Sequence, residues 1–403
     1  MNDEQRKLRV VIGTTTGFHL RRLAALLQNK PIELTYFSYV PRFRLRRDGI
    51  SDVVSISLFE RLLPLSALAL APSVSRLRSW ATEKLFRPTD LAIANRLPPC
   101  DVFIGLSSLT VLAAREAKRR FGATVILERG SRHVLSQNSL VVAGGGAPLS
   151  DAWIQRELDG YAVADYISVL SGHALESFVE HGFSRERLFL NPLGVDLSVF
   201  RPQPRPSAPL KLLFTGAWSI RKGVDLLQTA MARRNNWTLT HVGAITDAPA
   251  SNLPNIHHIG VRTHQQLALL MKDHHLLVLP SREDGFGMVL LEALAAGLPI
   301  VASQLTGAPD IRAQLHDPRY VEICTAGDAA SLLAALDNMV SRLDILPPDR
   351  AILTEADQQH FSWSSYGERY WRFLQSIGAE RERIAIGTLS AGDSTPPKHE
   401  QPQ

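Results

Sequence analysis

The stretch LPSREDGFGMVLLEALAAGLPIVAS, residues 279–303, reads as the end of a buried strand, a glycine-rich turn, a helix and the start of another strand. Residues 276–279 are an apolar run, apolar side chains recur at helical spacing over 288–296, and 299–302 is apolar again. A strand, a helix and a strand in so short a span predict a parallel βαβ unit. Asp284 stands just ahead of the helix and Glu292 lies within it, about two turns further on. Gly285 and Gly287 let the backbone pass close to a ligand. Beside Phe286, the amides of Met288 and Val289 open the helix, where free N–H groups and the helix dipole favour an anion. Phosphates on those amides, with hydroxyl groups on the two carboxylates, describe a nucleotide-diphosphate sugar.

The same alternation extends in both directions. In the second half, strands are predicted at 211–215, 238–242, 256–260, 276–279, 299–302 and 320–324, and helices from Lys222, over 265–272, over 329–343 and over 363–377. In the first half, strands are predicted at 8–13, 32–38, 101–105, 123–127, 166–170 and 188–191, with helices over 18–28 and 110–121. Residues 51–96 read as mainly helical, broken by Pro64, Pro72 and Pro88. Between the halves, NPLGVDLSVFRPQPRPSAP is an extended, proline-stiffened connector. The fold class expected is therefore α/β, with two Rossmann-like domains. The first covers residues 1–200 and the second 207–360; a terminal helix follows at 361–380, and 381–403 form a disordered polar tail.

Composition narrows the function. A chain of 403 residues exceeds what one core organises, and 45% hydrophobic with 21% charged residues is a globular balance. The longest nearly apolar run, 62–71, is interrupted by Pro64 and falls short of the ~20 residues a spanning helix needs. With no apolar leader after MNDEQRKLRVVIG, the expected location is the cytoplasm or the inner face of its membrane. Cys100 and Cys324 have no paired spacing, which argues against a disulfide or zinc site, and no Asp-x-Asp or histidine cluster suggests another metal. Neither GTTTGFH nor TGAWSIRKG carries a dinucleotide glycine triplet, so a nicotinamide enzyme is disfavoured. Residues 1–205 hold 27 Lys and Arg against 19 Asp and Glu, while the rest hold 17 against 20. Part of that excess is Arg42, Arg44, Arg46 and Arg47, read either as a solvated loop or as a contact for anionic headgroups or an acidic acceptor. No basic helix interleaved with aromatics accompanies it, so nucleic acid is not an expected partner.

Residues 279–303 resemble the signature of glycosyltransferase family 4 (group 1), whose pattern is an acid, seven residues and a glutamate around EGFGxxxxEA, followed by AxGxPVVAS. RKGVDLL, LNPLGVDLSVF and TGAPD support the resemblance over nearly the whole chain. It implies the GT-B fold, with the two domains facing each other across a cleft and the 361–380 helix returning to the first, and a retaining enzyme that moves a sugar from a UDP- or GDP-linked donor to a glycan, lipid-linked or small-molecule acceptor. No cofactor is implied beyond that co-substrate. The resemblance assigns the donor sugar's hydroxyls to Asp284, with Glu283 beside it as understudy, and the ribose to Glu292. Phosphate neutralisation falls to Lys222 after Gly216, but Ala217 stands where relatives carry an arginine, and Arg221 is the substitute. In the first domain, ERGSRHVLSQ resembles a subgroup whose cleft holds Glu128, Arg129, Ser131 and His133. Gly17, His19 and Ser171 are further cleft candidates. The alternatives are a non-catalytic nucleotide-sugar-binding subunit and a phosphorylase or epimerase on the same fold.

Overall fold

The computed structural model describes residues 6–15, 18–70, 76–204, 206–207, 209–343, 345–347 and 351–392. Thirteen strands form two wholly parallel sheets among these residues. The first holds β1 (Leu8–Gly13), β2 (Ile32–Ser38), β3 (Ser55–Ser57), β4 (Val102–Leu106), β5 (Thr124–Arg129), β6 (Tyr166–Val169) and β7 (Leu188–Leu190), in the order β3-β2-β1-β4-β5-β6-β7. The second holds β8 (Lys211–Thr215), β9 (Thr238–Val242), β10 (Ile256–His258), β11 (Leu276–Leu279), β12 (Ile300–Ser303) and β13 (Val321–Cys324), in the order β10-β9-β8-β11-β12-β13. Helices cover both, so central strands such as β4, β11 and β12 are buried at every residue and read as continuous apolar runs. In each sheet the order reverses beside the first strand, at β1/β4 and at β8/β11, which opens a crevice at the carboxyl ends.

Local chemistry fixes the connections. Thr263 and Gln266 form a reciprocal capping box on the helix His264–Lys272, and Gly122, at φ 58°, ends the helix Val111–Phe121 in the left-handed conformation. Three elements differ from the sequence expectation. Pro88 lies inside one helix, Arg76–Ala94, because that helix is pinned by tertiary contacts: Asp90 accepts the amides of Leu112 and Ala113 and pairs with Arg156. The basic cluster is not a loop but the helix Arg42–Arg47, seated by buried Leu45. The final helix, Trp363–Gly392, runs past residue 380 into the segment expected to be disordered, through Arg-, Ala- and Ile-rich sequence that contains no proline.

The chain passes between the sheets twice, side by side. Val195 N–H donates to Phe361 O at 2.8 Å, and a Cβ on Gly194 would lie 2.5 Å from the Trp363 nitrogen. The returning helix then lies on the first sheet's domain. Lys30 pairs with Glu368, Arg369 donates to Asn191 and to Pro192 O, and Phe373 stacks on Phe189 at 4.0 Å.

Candidate active site

Two turns meet at the β8/β11 switch. After β8 the chain runs through Gly216 and Ala217 into the tight 3-10 turn Ile220–Lys222, and Gly223 follows at φ 73° with space only for hydrogen, since a Cβ would lie 2.2 Å from Pro280 O. After β11, Arg282 donates its amide to Arg221 O at 2.8 Å and its guanidinium to Ile220 O and Asp225. These bonds lock the turns together and bring four charges side by side. Arg221 donates to Glu283 Oε2 at 3.0 Å, and Lys222 Nζ donates to Asp284. Burial would raise the Asp284 pKa, but the Lys222 and Arg221 charges and the Lys222 hydrogen bond outweigh it and hold the carboxyl below its usual range.

Glu292 follows the opposite logic. It is buried in the helix Val289–Ala295, its nearest basic group being the exposed His264, 3.4 Å away, and burial pushes its pKa up to about 7. One acid is thus held ionised by cations, and the other stands half-protonated near neutrality. Paired cations with two unlike carboxyl groups can receive a polyanion that also carries hydroxyl groups. Phe286 departs from its expected donor-site place. Its ring is buried beneath Gly307, where a Cβ would lie 2.5 Å from it, so it anchors the turn from inside. The Val289 side chain is likewise buried, leaving backbone as what positions 286 and 289 can offer.

The first domain closes over this turn. A Cβ on Gly285 would lie 1.9 Å from Gly130 O, so the two turns touch backbone to backbone. Ser171 Oγ donates to Gly285 O at 2.6 Å, Gly172 N–H to Asp310 Oδ2 at 2.8 Å, and His173 Nε2 to Asp284 O at 3.0 Å. Arg132 N–H donates to Glu283 Oε1 at 3.2 Å. Glu283 is therefore committed to Arg221 and to the opposite domain.

Glu128 and Arg129 are adjacent on β5 and point to opposite faces. Glu128, fully buried, accepts from Tyr370 Oη at 2.7 Å and meets His19 Nε2 at 2.8 Å. Arg129 instead pairs with Glu157 at 2.8 Å and donates to Gln137, which makes it a strut beneath the cleft and not a part of its surface. His133 does not join the site. The residue caps the helix Val134–Ala143, and its ring stacks on His181 at 3.9 Å among Tyr161, Phe178 and Phe183; burial takes its pKa down to about 3. His173 does reach the turn at Asp284, and sequence reasoning missed it. Its only signal was its place two residues after Ser171 at a strand end. Tyr370 and Asp310 were also missed; TGAPD was noticed, but nothing in it announced an interdomain contact. Gly17 lies outside the described residues.

Two parallel-sheet domains with opposed carboxyl ends and a cationic, doubly acidic turn between them define the class, the GT-B fold of glycosyltransferases. Residues 209–342, within the second domain, match the family model described as Glycosyl transferases group 1. Among solved structures, sucrose-phosphate synthase from Thermosynechococcus elongatus superposes with a TM-score of 0.67 at 18% identity, covering 93% of this chain and 100% of that one. Anabaena HepE in complex with UDP and glucose superposes with a TM-score of 0.63 at 13% identity, covering 92% and 100%. D-inositol 3-phosphate glycosyltransferase 1 of Catenulispora acidiphila is 29% identical over 263 residues, 53% of this chain and 63% of that protein. The GDP-mannose:cellobiosyl-diphosphopolyprenol alpha-mannosyltransferase of Xanthomonas campestris is 27% identical over 225 residues, 51% and 54%. The chain thus spans less than two thirds of these relatives' own length.

Proposed function

We propose that this protein is a retaining glycosyltransferase that binds a nucleotide-diphosphate sugar on the second domain and passes the sugar to an acceptor held by the first. The observation that carries the reading is the pairing of Lys222 with Asp284 and of Arg221 with Glu283 at the β8/β11 switch. On donor binding, Lys222 and Arg221 take the diphosphate, Asp284 accepts from the sugar's hydroxyls, and Glu292 binds the ribose. Glycosyl transfer makes the bond from the acceptor oxygen to the anomeric carbon as the bond to the phosphate oxygen breaks, and the acceptor's proton passes to that departing oxygen. The cations stabilise the charge that accumulates there, which is where fixed charge lowers a barrier most. No protein nucleophile is required. The acceptor is a glycan, a lipid-linked saccharide or a small molecule, set against β1, β5 and β6 near His19, Glu128 and Ser171.

The test is titration with UDP- and GDP-sugars followed by thermal melting, then NMR of the product's anomeric configuration. One donor that stabilises the protein and yields a retained linkage supports the reading. A protein that neither binds nor hydrolyses any such donor removes it. Contact with an anionic membrane is a further part of the proposal, supported by exposed Phe43 on the helix Arg42–Arg47. Among the described residues no helix is long and apolar enough to cross a membrane. Flotation with phosphatidylglycerol vesicles at low salt, lost at high salt, is the expected result.

A further inference from the structure

Strands β9 and β10 each place a histidine where a covered parallel sheet ordinarily holds an apolar residue, and the two rings meet beside the donor turn. His241 is fully buried, with Phe214 stacked on it at 5.5 Å and Trp218 packed against both imidazoles. Their hydrogen bonds assign every ring proton. Ser251 N–H donates to His258 Nε2 at 3.0 Å, so that nitrogen is bare and His258 carries its proton on Nδ1. The two Nδ1 atoms lie 2.8 Å apart, so His258 donates and His241 accepts. His241 then carries its proton on Nε2, which donates to Gly216 O at 3.0 Å. Protonating either ring would set two N–H groups against each other. Burial lowers the pKa of both, with His258 acting on His241 and the exposed neighbour His257 acting on His258.

The receiving carbonyl belongs to the turn in which Ala217 stands where the family resemblance implies an arginine. The Gly216–Ala217 peptide is trans, so a carbonyl drawn inward to His241 turns the Ala217 N–H the opposite way. The Lys222 side chain passes close to this peptide, since a Cβ on Gly216 would sit 3.8 Å from Lys222 Cε. Among the described residues no protein group accepts from the Ala217 N–H. Gly243 makes the arrangement possible, because a Cβ there would lie 1.8 Å from Gly216 O.

We infer that His241, aligned by His258, is a positioning residue that fixes the Gly216 carbonyl so that the Ala217 amide, beside Lys222, donates to a donor phosphate in place of the missing arginine. This rests on the donor-site reading above. A peptide held in one orientation needs no reorganisation when the phosphate arrives, which is what a backbone donor requires to replace a flexible cation.

Calorimetry on the full chain tests it with four ligands, UDP, GDP and the corresponding monophosphates. The wild type is expected to bind one diphosphate more tightly than its monophosphate. His241→Leu should lose about tenfold in affinity for the diphosphate, the worth of one hydrogen bond to a charged group, and stay within about twofold for the monophosphate. His241→Gln, whose Nε2 can donate to the same carbonyl, should recover most of the loss. Equal losses for both ligands, an unchanged His241→Leu protein, or no difference between Leu and Gln would overturn the inference. A wild type that binds neither diphosphate removes the donor-site reading instead. Should His241→Leu not fold, nitrogen-15 NMR of histidine-labelled wild type decides whether the lock exists: His241 protonated on Nε2 and His258 on Nδ1 are expected, and any other tautomer pair overturns it.

Discussion

In the second domain, Lys222, Asp284 and Glu292 lie on two turns and a helix that leave neighbouring strands, and their partners are each other or solvent-edge groups. In the first domain, Glu128 is held by His19 from the opening helix and by Tyr370, 242 residues further along the chain. A site assembled from contiguous motifs keeps a legible signature. The opposite wall is assembled from segments that meet only after folding, and no local pattern records it.

Removing the cation tests the donor side hardest. Lys222→Ala should reduce kcat for sugar transfer by about 10³-fold, since the charge is needed at bond cleavage. Turnover close to wild type would refute its assignment. Glu292→Gln sharpens the contrast between the two acids. With its pKa about 7 folded against an ordinary value of 4.5, Glu292 binds its proton more tightly in the native state. The wild type therefore loses stability as pH rises through that window, and the variant does not. The variant's advantage in urea unfolding should grow from pH 5 to pH 8 and reach at most about 3 kcal/mol. A flat difference would show that the carboxyl is ordinarily solvated.

Gly285→Ala attacks the contact between the regions. The methyl group meets Gly130 O, so the domains should fold normally but close poorly, and kcat/KM should fall by about 10²-fold. A fully active variant would mean that this contact is not made during turnover. Tyr370→Phe is the mildest. It takes one hydrogen bond from a buried carboxylate, for an expected loss of about 2 kcal/mol in denaturant unfolding; no loss would show that His19 alone satisfies Glu128.

Legibility followed the same division. The strands were readable because buried parallel strands are unbroken apolar runs, and the turn 284–287 because glycine, acid and helix start fall in one window. β3, three residues long at the sheet's edge, carries too little pattern to read. The helix Asp151–Val163 was missed despite its Ser150 cap, since its buried face includes Glu157, whose burial depends on pairing with Arg129 from another element. His133 was misplaced for a related reason: a polar residue near a strand end reads as a site residue until the aromatic cage around it is seen. Glu128 and Arg129 show the limit most clearly. Adjacent residues of opposite charge suggest a pair, yet the pleat sends them to opposite faces and to different partners.

The double passage of the chain between domains has a consequence for dissection. The first sheet's fold unit is non-contiguous, completed by residues from the far end of the sequence. A fragment ending near residue 200 would leave Glu128 without its phenol and strip Phe373 from Phe189 and Tyr166. We expect the excised first domain to be soluble only when the segment beginning at Trp363 is supplied, either in trans or by permuting the chain so that this helix precedes β1.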